Sequence, residues 1–169
     1  MTAVESTQRW VQDFVVRLGL CPFAARPLRA GKVRYLETEV QSAEESFYWT
    51  AGCLQDFVGE PRERVETTLL IFPNGFAEFP AFLDFVEEIE DVLASSGAES
   101  FVQLAHFHPA YCFADLQPAD PANATNRSPH PILQLLRVEG VAEAVADYPE
   151  VESIPERNIS LLRRMASEK

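Results

Sequence analysis

Residues 67 to 72, Thr-Thr-Leu-Leu-Ile-Phe, constrain the fold more than any other stretch of the chain. The run is β-rich, apolar, too short for a core helix, and closed by Pro73-Asn74-Gly75, so it reads as a buried strand. A buried strand needs partners on its edges and cover on its faces, and the flanking sequence supplies both. Upstream, Ser42 with Glu45 forms a capping-box pattern ahead of Phe47, Ala51, Leu54 and Val58, which predicts a helix. Downstream, Pro80 opens a second helix whose Phe82, Phe85, Val86, Ile89 and Val92-Leu93 form one apolar stripe, ended by Gly97.

The remaining elements follow from the same periodicities. Thr7 to Leu18 reads as a first helix stopped by Gly19, with Trp10, Phe14 and Leu18 at four-residue spacing. Lys32 to Val40 alternates weakly as a strand. Phe101 to Phe107 and Ile132 to Val138 read as two more strands, the second stopped by Gly140 before a helical stripe of Val141, Val145 and Tyr148. Pro155 starts a last helix that turns Ile159, Leu162 and Met165 or Ala166 inward. His108 to Pro131, rich in Pro, Asn and Asp, reads as an ordered long loop, a length that in compact domains commonly carries function. The order predicts an α/β or α+β fold: a single domain, residues 1–169, with a mixed sheet of about four strands covered by helices. The strand order stays open.

Composition narrows the function. At 47% hydrophobic residues the chain has ample core, and its 14 basic against 26 acidic residues leave a net charge of −12. No basic run offsets that charge, so neither nucleic acid nor an anionic membrane is an expected partner. Met1 to Val11 has no apolar run of the secretory kind, and three widely spaced cysteines without a CxxC fit reduced thiols in the cytoplasm. The chain has neither GxGxxG nor GxxxxGK, which argues against the usual nucleotide-binding loops. No cofactor is expected.

Three constellations can carry chemistry. Cys21, between the helix stop Gly19-Leu20 and Pro22, stands where a helix N-cap lowers a thiol pKa and makes a nucleophile; the plain alternative is a small buried hydrophobe. His106 and His108 share one face of a strand. Without a carboxylate at diagnostic spacing they predict no metal site, but His108 at the strand end suits a general base. Asn126-Arg127-Ser128, held by Pro129 and Pro131, presents an arginine fork and two polar groups to a carboxylate or phosphate. Its alternative is an internal brace in which Arg127 pairs with a carboxylate and Asn126 caps a turn.

The blocks Leu20-Cys21-Pro22-Phe23-Ala24, Phe107-His108-Pro109-x-Tyr111, Asn126-Arg127-Ser128-Pro129-x-Pro131 with Leu135-Leu136-Arg137, and Ile154-Pro155-x-Arg157-Asn158-Ile159 run through nearly the whole chain. Together they resemble the bacterial domain-of-unknown-function family 1415. That family's pattern has no histidine at position 106, and an aromatic and a histidine where His130 and Gln134 stand. The resemblance therefore puts weight on His108 rather than on His106 or His130, and it implies no activity.

Two main readings remain. In the first, the chain is an enzyme acting on a small anionic molecule, with Cys21 as nucleophile, His108 as base and Asn126 as oxyanion donor. Arg127 then anchors the substrate, with Tyr111 and Ser128 beside it. In the second, Arg127, His108 and Tyr111 form a non-catalytic anion or metabolite site and Cys21 is structural. A third reading is a partner-binding adaptor that uses exposed aromatics of the long loop. If the strands on either side of that loop are neighbours, His108, Tyr111, Asn126 and Arg127 converge at one sheet edge on one concave site for a small anion.

Overall fold

The computed structural model describes all residues, 1–169. Six α-helices surround one four-stranded sheet: α1 Ala3–Trp10, α2 Ala25–Arg29, β1 Val33–Glu37, α3 Ala43–Gly59, β2 Thr67–Ile71, α4 Phe79–Ser96, β3 Val102–Phe107, β4 Ile132–Arg137, α5 Val138–Asp147 and α6 Ile154–Ser167. The sheet order is β1-β2-β4-β3. β1 and β2 are parallel, joined by α3; β2 and β4, and β4 and β3, are antiparallel. The mixed α/β architecture is the one the element pattern predicts.

β2 is buried along its whole length because helices pack on both of its faces. On one face Leu70, Phe72, Leu133, Leu135 and Val102 meet Leu54 and Phe57 of α3 and the Phe82–Phe85–Ile89 stripe of α4. On the other, Leu69, Ile71 and Ile132 pack under Val11, Trp10, Val16 and Leu28. Each fully buried phenylalanine contributes about 1.5–3 kcal/mol, and three of them, Phe72, Phe82 and Phe85, interlock with the nearly buried Phe76 by ring contacts of 4.5–6.2 Å.

Several boundaries differ from the sequence expectation, each for a local reason. The first helix begins at Ala3, not Thr7, because Thr2 and Glu5 form a complete capping box. It continues beyond Trp10 as a π-helical segment, Val11–Val16, marked by the Arg17 N–H donating to the Gln12 carbonyl. Strand β1 is shorter than Lys32 to Val40, since after Thr38 N–H bonds the Ile71 carbonyl the chain leaves the sheet for α3.

Gly140 does not stop β4; it lies inside α5, where a Cβ would overlap the Glu66 carboxylate. That close approach brings α5 onto the Arg62–Glu66 ion pair, and Arg62 reaches on to Glu143. Gly97 terminates α4 in the left-handed conformation, φ 77°, as a C-terminal glycine does.

Candidate functional site

The loop from His108 to Pro131 is ordered by its own polar groups. It holds a short 3-10 helix, Pro121–Asn126, capped by Asp120, so it is less irregular than its composition implied. Asn123 is fully buried at its centre. Its Oδ1 accepts from the Phe113 N–H at 2.9 Å and its Nδ2 donates to the Gln117 carbonyl at 2.8 Å. An asparagine among turn formers carries no sequence mark of such a role.

Because β3 and β4 are neighbours, both ends of this loop return to one place. His108 N–H donates to the Asn126 carbonyl, and Asn126 Nδ2 donates to the His106 carbonyl, both at 3.1 Å. Burial pushes the Tyr111 phenol upward, and the nearby Asn126 side chain partly offsets it. Arg127 Nε donates to the Tyr111 carbonyl at 2.9 Å and an Nη to the Pro118 carbonyl at 2.7 Å. Ser128 Oγ donates to the His130 carbonyl. The structure thus brings His108, Tyr111, Asn126, Arg127 and Ser128 into one neighbourhood, and their side chains bond mainly to backbone groups of the loop and its surroundings.

His108 shows what this arrangement does chemically. The ring is 1% exposed and lies against Phe79 and Phe82, with centroids 5.3 and 5.5 Å away. Its Nε2 donates to the Phe76 carbonyl at 2.7 Å, while Nδ1 accepts from the Ala110 N–H at 3.0 Å. Both nitrogens are taken, which leaves none to receive a substrate proton. Phe76 is the one non-glycine residue with positive φ (55°), so His108 clamps the carbonyl of a strained turn. Arg127 is an internal brace as well, but to two carbonyls rather than to the carboxylate expected of a brace.

His106 shares the α4 side of the sheet with His108, in agreement with strand alternation. Its ring stacks on Tyr111 at 5.5 Å and its Nδ1 is buried without a partner. Burial holds its pKa below the ordinary value of 6.5. Since His108 has both nitrogens engaged, the pair cannot offer a metal two free donors, and no group of three His, Cys, Asp or Glu side chains converges anywhere. His130 points elsewhere, its Nε2 2.9 Å from Ser6 Oγ on α1.

Cys21 belongs to a different neighbourhood. Cys21 is not the N-cap expected of it: α2 starts at Ala25 with Ala24 as its cap, and the Ala24 N–H donates to the Cys21 carbonyl. The Phe23 and Ala24 amides favour the thiolate. Burial outweighs them, and the thiol is pushed up rather than down. That direction is opposite to the one expected of a helix-capped thiolate. Phe23 packs on Tyr148 at 6.0 Å, and the Leu20 carbonyl accepts from Asn158 Nδ2 at 2.7 Å. None of these bonds or ring contacts involves His108, Tyr111 or Arg127.

That second neighbourhood contains a groove the sequence analysis did not find. It lies between the Gly19 turn and α6, has a volume of about 370 Å³, and is lined by Leu18, Gly19, Arg157, Ser160, Leu161 and Arg164. Gly19 sits at φ 64°, which favours glycine. Its carbonyl accepts from an Arg157 Nη at 2.8 Å, and the other Nη donates to the Tyr148 hydroxyl at 2.9 Å. The signal was available as the spacing of Arg157, Ser160, Leu161 and Arg164, one face of a helix. Nothing in the sequence says which segment that face meets.

A family model matches residues 2–169. The chain belongs to the family described as protein of unknown function (DUF1415). No curated protein and no solved structure matches it. Across this DUF1415 chain no helix is long and apolar enough to cross a membrane. The four sequence blocks that carried the resemblance fall into the two neighbourhoods just described. The Phe107 and Asn126 blocks build the loop network, and the Leu20 and Arg157 blocks meet at the groove.

Proposed function

We propose that this chain is a non-catalytic binding domain for a small anionic molecule, held in the groove between the Gly19 turn and α6. The observation that carries this reading is that Arg157 and Arg164 line the groove without a carboxylate partner. All ion pairs of the molecule use Arg26, Arg34, Arg62, Arg64 and Arg163. In a chain of net charge −12, two uncompensated guanidinium groups and a serine hydroxyl make a local positive focus. The repulsion of the remaining surface is screened beyond about 8 Å at physiological salt.

The contrast with a second hollow supports the choice. Val58, Arg62, Ser100, Phe101, Val102, Arg137 and Glu139 line a cavity of about 170 Å³. There Arg62 is consumed by Glu66, Glu139 and Glu143. Arg137 donates to the Val65 and Glu60 carbonyls and lies 4.1 Å over the Phe57 ring. Arg62 is neutralised there, and Arg137 is turned onto the backbone and an aromatic face rather than into open space.

The binding reading is preferred to the enzyme reading because a saturated His108 and a raised Cys21 thiol leave no base and nucleophile for a shared reaction. The adaptor reading loses its aromatics, since Tyr111 is buried and Phe113 half-buried. Three free cysteines fit a cytoplasmic setting for such a domain.

Thermal shift and calorimetric titration with inorganic phosphate, citrate and adipate test the proposal. At least one should bind the wild type and lose roughly tenfold or more in affinity when Arg157 or Arg164 becomes Ala, the worth of one charge-assisted hydrogen bond. No binding by any of the three, or binding indifferent to both arginines, overturns it. Alkylation tests the other half: Cys21 should react with iodoacetamide more slowly than a free peptide cysteine at neutral pH. Faster reaction would restore the enzyme reading.

A further inference from the structure

Resting on that reading, we infer that the ligand is a two-ended anion, with acidic groups at both ends of an apolar spacer. The geometry of α6 sets this requirement. Arg157 and Arg164 are separated by seven residues, a rise of roughly 10.5 Å along the helix, and Arg157 is tied back to the Gly19 carbonyl and the Tyr148 hydroxyl at its own end. Between them the groove offers Leu18, Leu161 and a single hydroxyl, Ser160. A ligand lying along the helix therefore meets charge, then hydrocarbon with one polar contact, then charge again.

The arginine at the N-terminal end is oriented before any ligand arrives. Its two bonds go to neutral acceptors, the Gly19 carbonyl and the Tyr148 hydroxyl, so its position is fixed while its charge is kept. Of the five N–H donors of a guanidinium, those left over suit a carboxylate or phosphate oxygen pair. Arg164 has no side-chain bond to any other residue and is free to close on the far end of the ligand. Its neighbour Arg163 does not compete, being held by Asp120 at 2.6 Å. α6 is itself anchored, by Asn158 on the Leu20 carbonyl and by Arg163 on Asp120.

Recognition at two ends predicts a dependence on length as well as charge. Succinate, adipate and suberate are the two-ended probes, with butyrate and octanoate as one-ended controls and inorganic phosphate as the compact anion. The longer diacids should bind at least tenfold more tightly than succinate, butyrate or phosphate. Arg164→Ala should reduce adipate or suberate to the affinity of the one-ended control, and Arg164→Lys should restore part of it. Equal binding of one-ended and two-ended anions, still lost on Arg157→Ala, overturns this inference and leaves the anion-binding domain standing. Failure of every probe overturns both.

Discussion

The loop network at the β3–β4 end and the groove at the Gly19–α6 end contain the same kinds of residue, and they do opposite things with them. Each has an arginine donating to backbone carbonyls, a buried asparagine, a serine and a tyrosine hydroxyl. In the loop the polar groups close on one another: His108 on Phe76 and Ala110, Asn123 on Phe113 and Gln117, Arg127 on Tyr111 and Pro118. In the groove Asn158 and Arg157 also brace backbone, but Ser160 and Arg164 remain exposed and unbonded. The difference teaches that residue type does not mark a binding site. What marks it is whether donors are left over after the chain has satisfied its own carbonyls.

Stability measurements should separate the two regions, with the largest effect at His108. His108→Leu keeps the ring cluster's bulk but strands the Phe76 carbonyl and the Ala110 N–H, and should cost about 3 kcal/mol in urea unfolding. A loss below about 1 kcal/mol would mean that the clamp on Phe76 is dispensable and that the comparison is wrong at its strongest point. Arg127→Ala comes next. Its partners are neutral carbonyls near the surface, so the expected cost is about 1–2 kcal/mol, well short of breaking a buried ion pair. Loss of anion binding in this variant would move the site into the loop.

A smaller effect is expected from pH. Burial lowers the pKa of His106 and of His130 below 6.5, so in this range the unfolded chain binds more protons than the folded one. Stability is then full above the unfolded value and declines as pH falls through it, levelling off below the folded values. His106→Phe, which keeps the stacking on Tyr111 and removes a partnerless Nδ1, should flatten that decline in a series of melts from neutral to mildly acidic pH. An unchanged slope would assign the effect to His130 alone. Smallest of all is Arg164→Ala, which breaks no bond and should change unfolding free energy by no more than about 0.5 kcal/mol, while removing affinity for the diacid. A clear stability loss there would make Arg164 a brace like Arg127.

Much of the architecture was written locally. The β2 run, the apolar stripe of α4, its Gly97 stop and the Ser42 cap each depend on neighbours within a turn or two, and each formed where its pattern stands. Adjacency of β3 and β4 is what their order along the chain favours, and it gathers His108, Tyr111, Asn126 and Arg127 in one hydrogen-bonded network. The insertion of β4 beside β2 did not follow, because hydrogen-bonded edges carry no sequence label. Gly140 was misread for a related reason. Its role is set by the Glu66 carboxylate, more than seventy residues away in sequence, and a local rule sees only a helix breaker.

The sequence by itself determined the family, the α/β class, most element types and the absence of a basic surface, since all of these are functions of composition or short-range pattern. Only the tertiary structure decided which polar residues are spent and which are free. Cys21 has the local turn of a reactive thiol, and long-range packing buries it until desolvation outweighs the amides. Arg127 has the local context of an anion fork, yet two carbonyls of its own loop take it first. Arg164 stands in no motif of the sequence, and the fold sets it in the groove beside the Gly19 turn without an ion-pair partner. Solvation and hydrogen-bond satisfaction depend on everything within a few ångströms in space, and neither periodicity nor motif encodes that neighbourhood.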